Sequence, residues 1–264
     1  YTEEVMNKRH RVQFPKNELS DSDQDESYFY LHGTSKKRKI KFHDYDEIYQ
    51  VPGLYEQIFY DRLKCISPNK VTSILESAIK QSSDNFTELR VLDLGAGNGM
   101  MGEELKKHGV SRLVGVDIIP EAYDALIRDR PGVYDAFYIE DFCALSEGKK
   151  EEIESWQCDC MVTVAALGFG DIPTKAFVNA FNIISNEGWV AFNIKDTFLD
   201  SSDETGFSKL IRELIFSKYL DVYHIERYRH RLSVDGEPLH YFAVVGRKNA
   251  AISSEFMESK GIIF

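Results

Sequence analysis

Val91-Leu92-Asp93-Leu94-Gly95-Ala96-Gly97-Asn98-Gly99 passes from a short apolar run into three alternating glycines. Residues 90–94 have the length and composition of a buried strand, and 98–108 have the periodicity of a helix. Glycine tolerates positive φ and lets a ligand come close to the backbone. A turn between a strand and a helix lies at the carboxyl edge of an open α/β sheet, where such folds bind their ligands. Amides that open the helix can meet polar or anionic groups. The loop therefore offers Asp93, Gly95, Ala96, Gly97, Asn98 and Gly99 as candidate ligand contacts.

The spacing narrows the ligand. A dinucleotide fingerprint GxGxxG begun at Gly95 needs a glycine at position 100, where the chain has Met100; its third glycine comes one place early, at Gly99. Asp93 ends the strand before the first glycine, where it could order the loop or meet a cationic group. Asp117 closes the next strand, 20 residues past Gly97, a position from which a carboxylate can accept from both hydroxyls of a ribose. Ile118 follows it. Asp141 and Phe142 follow the third strand, where a carboxylate and a backbone N–H could read an adenine edge. Carboxylates also sit at strand ends as turn formers and helix caps. Three at successive strand ends, the first beside the glycines, favour a nucleoside.

From Leu89 onward, short apolar runs alternate with amphipathic helices. Strands are expected at 90–94, 112–117, 136–140, 158–164 and 189–194, with helices at 98–108, 120–129, 174–184 and 205–218. This order predicts an α/β fold with a doubly wound, mostly parallel sheet. The end departs from it: 223–233 and 239–246 are strand-like and joined around Asp235-Gly236, which predicts a terminal hairpin and one antiparallel strand.

DLGAGNG at 93–99, GVD at 115–117 and EDF at 140–142 resemble the first, ribose and adenine motifs of the class I S-adenosylmethionine (SAM)-dependent methyltransferase superfamily. The resemblance covers roughly residues 70–247. It implies a seven-stranded sheet with a reversed last strand and SAM as cofactor. It places the methionine part on Gly95–Gly99, the ribose on Asp117 and the adenine on Asp141 and Phe142. Val164 begins the segment after strand four, Val164-Ala165-Ala166-Leu167-Gly168-Phe169-Gly170, which lacks the acidic, Asn or Pro-rich signature common there. No Asn-Pro-Pro-Tyr-type motif is present, which argues against methylation of nucleic-acid base amino groups. In similar small-molecule methyltransferases a tyrosine-containing front segment folds over SAM as a lid, and here Tyr45 and Tyr49 are the candidates. Aromatic faces suit a sulfonium cation; the same residues could equally pack a core.

The rest of the front predicts a hairpin, Ser27–Leu31 with Arg38–Phe42, and two short helices in 43–63 broken at Pro52-Gly53. Residues 1–26 read as a polar arm, with Ser, Asp and Glu dominating 18–26. The expected division is 1–68 for arm, hairpin and aromatic lid, 69–248 for the SAM domain, and 249–264 for a C-terminal tail.

Forty-three acidic against 32 basic residues leave a net charge of −11, which disfavours nucleic acid and tilts toward a neutral or cationic small-molecule acceptor. The basic run Lys36–Lys41 reads as an exposed strand, with Ile40 and Phe42 alternating against lysines. The four cysteines contain no CxxC pair, and no metal site is expected. Cys158 and Cys160 are expected on one strand face, as buried thiols in a reducing cytoplasm. No membrane span or signal peptide is visible. Methyl transfer needs a base only when the nucleophile must lose a proton. His43, His224, His230 and His240 are candidates; His43 is preferred for its place beside the lid. Two alternatives remain, a non-catalytic SAM-fold binding protein and a nucleotide-dependent oxidoreductase. An aminopropyl transferase using decarboxylated SAM is a further possibility, but the chain has no pair of acidic residues after strand four to hold a polyamine.

Overall fold

Arg90–Leu94 (β4) is buried along nearly its whole length and pairs in parallel on both sides, with Arg112–Asp117 (β5) and with Cys160–Thr163 (β7). The computed structural model describes residues 9–15, 27–33, 36–199 and 203–262. Ala136–Ile139 (β6) flanks β5, and Trp189–Lys195 (β8) flanks β7. Leu220–Leu232 (β9) and Pro238–Lys248 (β10) form the predicted hairpin, β10 lying antiparallel to β8. The sheet order is β6-β5-β4-β7-β8-β10-β9, with β10 the reversed strand. The order turns at β4, so the crevice between its carboxyl end and that of β7 is the natural ligand position.

The period-2 alternation of these strands divides the core. Leu92, Met161, Val190 and Phe192 face one layer with Phe177, Phe181 and Phe207 from helices Thr174–Ile183 and Phe207–Phe216. Val91, Val162 and Ala191 face the other layer, with Val71, Leu75 and Ile79 of helix Ser67–Lys80 and Leu105 of helix Met100–Lys107. Cys158 precedes the strand and joins the first layer, whereas Cys160 lies in the second. The expectation that both share a face is corrected, because pairing begins only at Cys160 and the strand alternation does not reach back to 158. All four thiols are free.

The front segment builds its own core. Arg11–Gln13 (β1), Tyr28–His32 (β2) and Lys37–Lys41 (β3) form a small antiparallel sheet. The hairpin strands are as expected; the Ser, Asp and Glu run at 18–26 lies outside the described residues. Residues 11–13 are a strand rather than solvated arm, because Val12 is buried between exposed Arg11 and Gln13. Ile40 is buried while its charged neighbours stay exposed. Helix Tyr45–Tyr49 (α1) and a π-helical turn Glu56–Arg62 follow, separated at Pro52-Gly53. Phe29, Ile40, Phe42, Ile48 and Ile58 pack together, and the backbone joins β9 through Leu232 N–H to Leu63 O at 2.7 Å.

Helices Glu147–Glu154 and Ser254–Ser259 have no counterpart in the sequence expectation. The first buries only Ile153 and is set by its Ser146 cap, which accepts from Lys149 N–H at 3.3 Å, so it carries little apolar period. The second brings Met257 into the first core layer beside Ile252 and Ile262. Among the described residues, no helix is long and apolar enough to cross a membrane, and no cluster of three metal-ligating side chains occurs.

Candidate active site

The glycine loop is tied to the neighbouring strand β5. Gly95 and Ala96 N–H both donate to Val116 O at 2.9 Å. Asp117 then spans two turns with one carboxylate: Oδ2 accepts from Gly97 N–H at 2.8 Å and Oδ1 from Ile119 N–H at 3.0 Å. Burial raises its pKa above the ordinary aspartate value, against the opposing pull of these amides. Asp141 Oδ1 accepts from Cys143 N–H at 2.8 Å, which fixes the turn where Phe142 is buried.

These residues converge on one cleft of about 1040 Å³, its open mouth included. Gly95, Ala96, Gly97 and Asn98 form its floor at one end. Asp117, Ile118, Asp141 and Phe142 line one wall, and Val164 with Asp171 lines the opposite side. Tyr45 and Tyr49 also line it, their rings stacked at 6.1 Å and 24°. Tyr49 is anchored where Arg128 donates to its carbonyl at 2.9 Å and where Ala122 and Ala125 pack. Its hydroxyl lies so near Gly97, at φ +54°, that a Cβ there would stand 2.5 Å from the oxygen. Burial holds both tyrosine pKa values well above the usual phenol value, so they are neutral hydroxyls.

Two of the expected loop contacts lie elsewhere. Asp93 does not line the cleft; it is 1% exposed and accepts from the Tyr134 hydroxyl at 2.6 Å beneath the loop. Gly99 begins helix Met100–Lys107 at φ +88°, where a Cβ would stand 2.7 Å from Leu126 Cδ1. Its lack of a side chain serves close packing rather than ligand contact. Burial pushes the Asp93 pKa up to about 7. The native chain therefore keeps a proton that the unfolded chain releases near pH 4, and stability falls as pH rises from there through about 7. Asp93→Asn should flatten this slope. The wild type should lose up to about 4 kcal/mol relative to the variant between pH 4 and 8, as read by urea midpoints. Parallel curves for the two proteins would contradict the assignment.

A second, smaller cavity of about 490 Å³, open solvent at its mouth included, adjoins the first, with Tyr45, Tyr55, Ala165 and Asp171 lining both. His43 lies here rather than in the main cleft, and its Nδ1 is 2.9 Å from Asp171 Oδ2. Its ring packs on Phe169 at 5.2 Å. The segment after β7 shapes this junction with two non-glycine residues in the left-handed region, Ala165 at φ +60° and Phe169 at φ +52°. Such conformations cost energy and persist where surroundings enforce them. Ala165 N–H is held by Asn193 Oδ1 at 2.6 Å; the Asn193 amide donates to Tyr228, whose hydroxyl meets Ser67, and Ser67 meets His230 Nδ1 at 2.6 Å.

Asp171, Asn193 and Arg231 are residues of this region that sequence reasoning missed, whereas His230 was among the candidate bases. Asp171 follows Gly168-Phe169-Gly170 by one residue, a turn whose glycines were the available signal. His230 reaches the second cavity from the hairpin, whereas His224 is bonded to Glu226 on the surface. Burial and the adjacent Arg231 charge hold the His230 pKa well below the ordinary imidazole value, so it is a neutral hydrogen-bonding group.

The overall fold matches solved structures. NodS, an N-methyltransferase of Bradyrhizobium japonicum solved with S-adenosylhomocysteine (SAH), superposes with a TM-score of 0.53 at 13% identity, covering 78% of this chain and 97% of that one. The chain has the class I methyltransferase fold. A Thermoplasma acidophilum protein matches with a TM-score of 0.50 and 17% identity over 76% of this chain and 97% of its own. In sequence, protein arginine N-methyltransferase 1 of Saccharomyces cerevisiae is 26% identical over 119 residues, 45% of this chain and 30% of the relative's length. No family model matches the chain. The methyltransferase fold accounts for the reversed β10 and for the position of the cleft; the front sheet and its aromatic core are built on it.

Proposed function

We propose that the chain is a SAM-dependent methyltransferase acting on a small-molecule acceptor. The observation that carries this is the convergence of the glycine loop, Asp117 and Asp141 on one cleft also lined by Tyr45 and Tyr49. The donor set fits SAM. Asp117, already oriented by two amides, has lone pairs left for ribose hydroxyls. Asp141 and Phe142 flank an apolar wall suited to adenine. Gly95, Ala96, Gly97 and Asn98 suit the methionine end, and the neutral tyrosine rings suit a sulfonium.

When bound, SAM supplies an activated methyl carbon: the acceptor's lone pair forms the new bond while the carbon–sulfur pair stays on sulfur, leaving a neutral thioether. The protein aligns and desolvates. Asp171 accepts from His43 Nδ1–H and leaves Nε2 to take the acceptor's proton. The front segment 1–68 is the lid-bearing part and 69–248 the SAM domain. Four free thiols suit a reducing cytoplasm.

Incubation with methyl-labelled SAM and a library of small hydroxyl, amine and thiol compounds tests the activity. Label transfer with stoichiometric SAH is the expected result, and no transfer to any compound by SAH-binding protein would favour a non-catalytic binder. The lid contact gives a second prediction. Gly97→Ala should weaken SAH binding about tenfold, through a left-handed alanine and a displaced Tyr49. Adding Tyr49→Phe should restore part of the loss by removing the obstructing oxygen. A single variant with wild-type affinity by calorimetry would exclude the close approach.

A further inference from the structure

The second cavity contains a cation, Arg231, that forms no ion pair among the described residues. Arg231 is 5% exposed and lines the cavity. Its only described hydrogen bond runs from Nη1 to Leu232 O at 2.8 Å. The guanidinium carbon stands 5.7 Å from the Phe42 ring centroid. The one carboxylate lining the same cavity, Asp171, is engaged by His43. A guanidinium withdrawn from water is costly unless an anion or a full set of acceptors meets it, and Arg231 presents a planar fork that matches a carboxylate. Its charge is felt across the cavity, where it works against the burial that raises the pKa values of Tyr45 and Cys65.

The remaining walls are rings. Phe42, Phe59, Phe169, Tyr55 and Tyr241 line the space, with His43 bonded to Asp171, which lines both this cavity and the main cleft. Resting on the methyltransferase reading above, we infer that the acceptor is a small, flat anion of the aromatic hydroxycarboxylate class. Its carboxylate is held by Arg231, its ring lies among the aromatic walls, and its hydroxyl faces His43. The net charge of −11 does not oppose this. Charges beyond a Debye length of about 8 Å are screened, whereas Arg231 acts at contact inside a poorly hydrated cavity.

Binding of two probes of equal shape, 4-hydroxybenzoate and its neutral amide 4-hydroxybenzamide, separates the anion contribution. Both are titrated into full-length protein saturated with SAH. The acid should bind wild type at least tenfold more tightly than the amide. Arg231→Gln should bring the ratio near one with SAH affinity unchanged, and Arg231→Lys, which keeps the charge if the glutamine variant folds poorly, should retain a reduced preference. Equal binding of both probes to wild type, a preference that survives in Arg231→Gln, or no binding of either while SAH still binds would each overturn the anion pocket and leave the cofactor assignment standing. Failure of SAH itself to bind folded protein would overturn both.

Discussion

Asp117→Ala should weaken SAM and SAH binding at least about 100-fold while leaving the protein folded. The carboxylate meets Gly97 and Ile119 amides at 2.8 and 3.0 Å, so its removal strands two donors inside a buried site. Each stranded group costs about 1–3 kcal/mol, and the ribose contacts go with them. A loss near 3 kcal/mol corresponds to roughly two orders of magnitude in affinity. Asp117→Asn should lie between, because it keeps one acceptor oxygen but turns an NH2 toward an amide donor. Calorimetric affinities within threefold of wild type for the alanine variant would remove Asp117 from the cofactor site.

The second large effect concerns the His43–Asp171 pair. His43→Ala should lower kcat for a hydroxyl acceptor by about 10²–10⁴, the range of a positioned general base, with SAH affinity nearly unchanged because His43 lines the second cavity and not the main cleft. Asp171→Asn should cost less in rate, since the imidazole keeps a hydrogen-bond partner but loses the charge that stabilises its protonated form. Single-turnover rates under saturating SAM isolate the chemical step. An unchanged rate in His43→Ala would assign the proton to water or to another group.

Much of the candidate site is legible in local sequence because its proposed cofactor half is built from contiguous motifs. A strand, a glycine turn and a helix occupy 90–107, Asp117 ends the next strand and Asp141 lies two residues past the one after, so spacing alone brings them to one sheet edge. The acceptor half is not legible in that way. His43 and Asp171 are 128 residues apart, and Arg231 arrives from a hairpin strand paired far from the glycine loop. Only the closed topology, which docks the front sheet against β9, brings them together. The two loop residues that face away from the cleft have a local cause as well. Asp93 points beneath the strand end toward Tyr134, and Gly99 is needed for contact with Leu126; neither orientation follows from a motif. Helix Glu147–Glu154 escaped for the opposite reason, since capping rather than apolar periodicity defines it.

The most direct test of the cofactor assignment is calorimetric titration of the purified wild-type protein with SAM, SAH and NAD. The account predicts saturable one-to-one binding of both sulfur nucleosides and none of NAD. Tight binding of NAD, or no binding of SAM by well-folded protein, would contradict it.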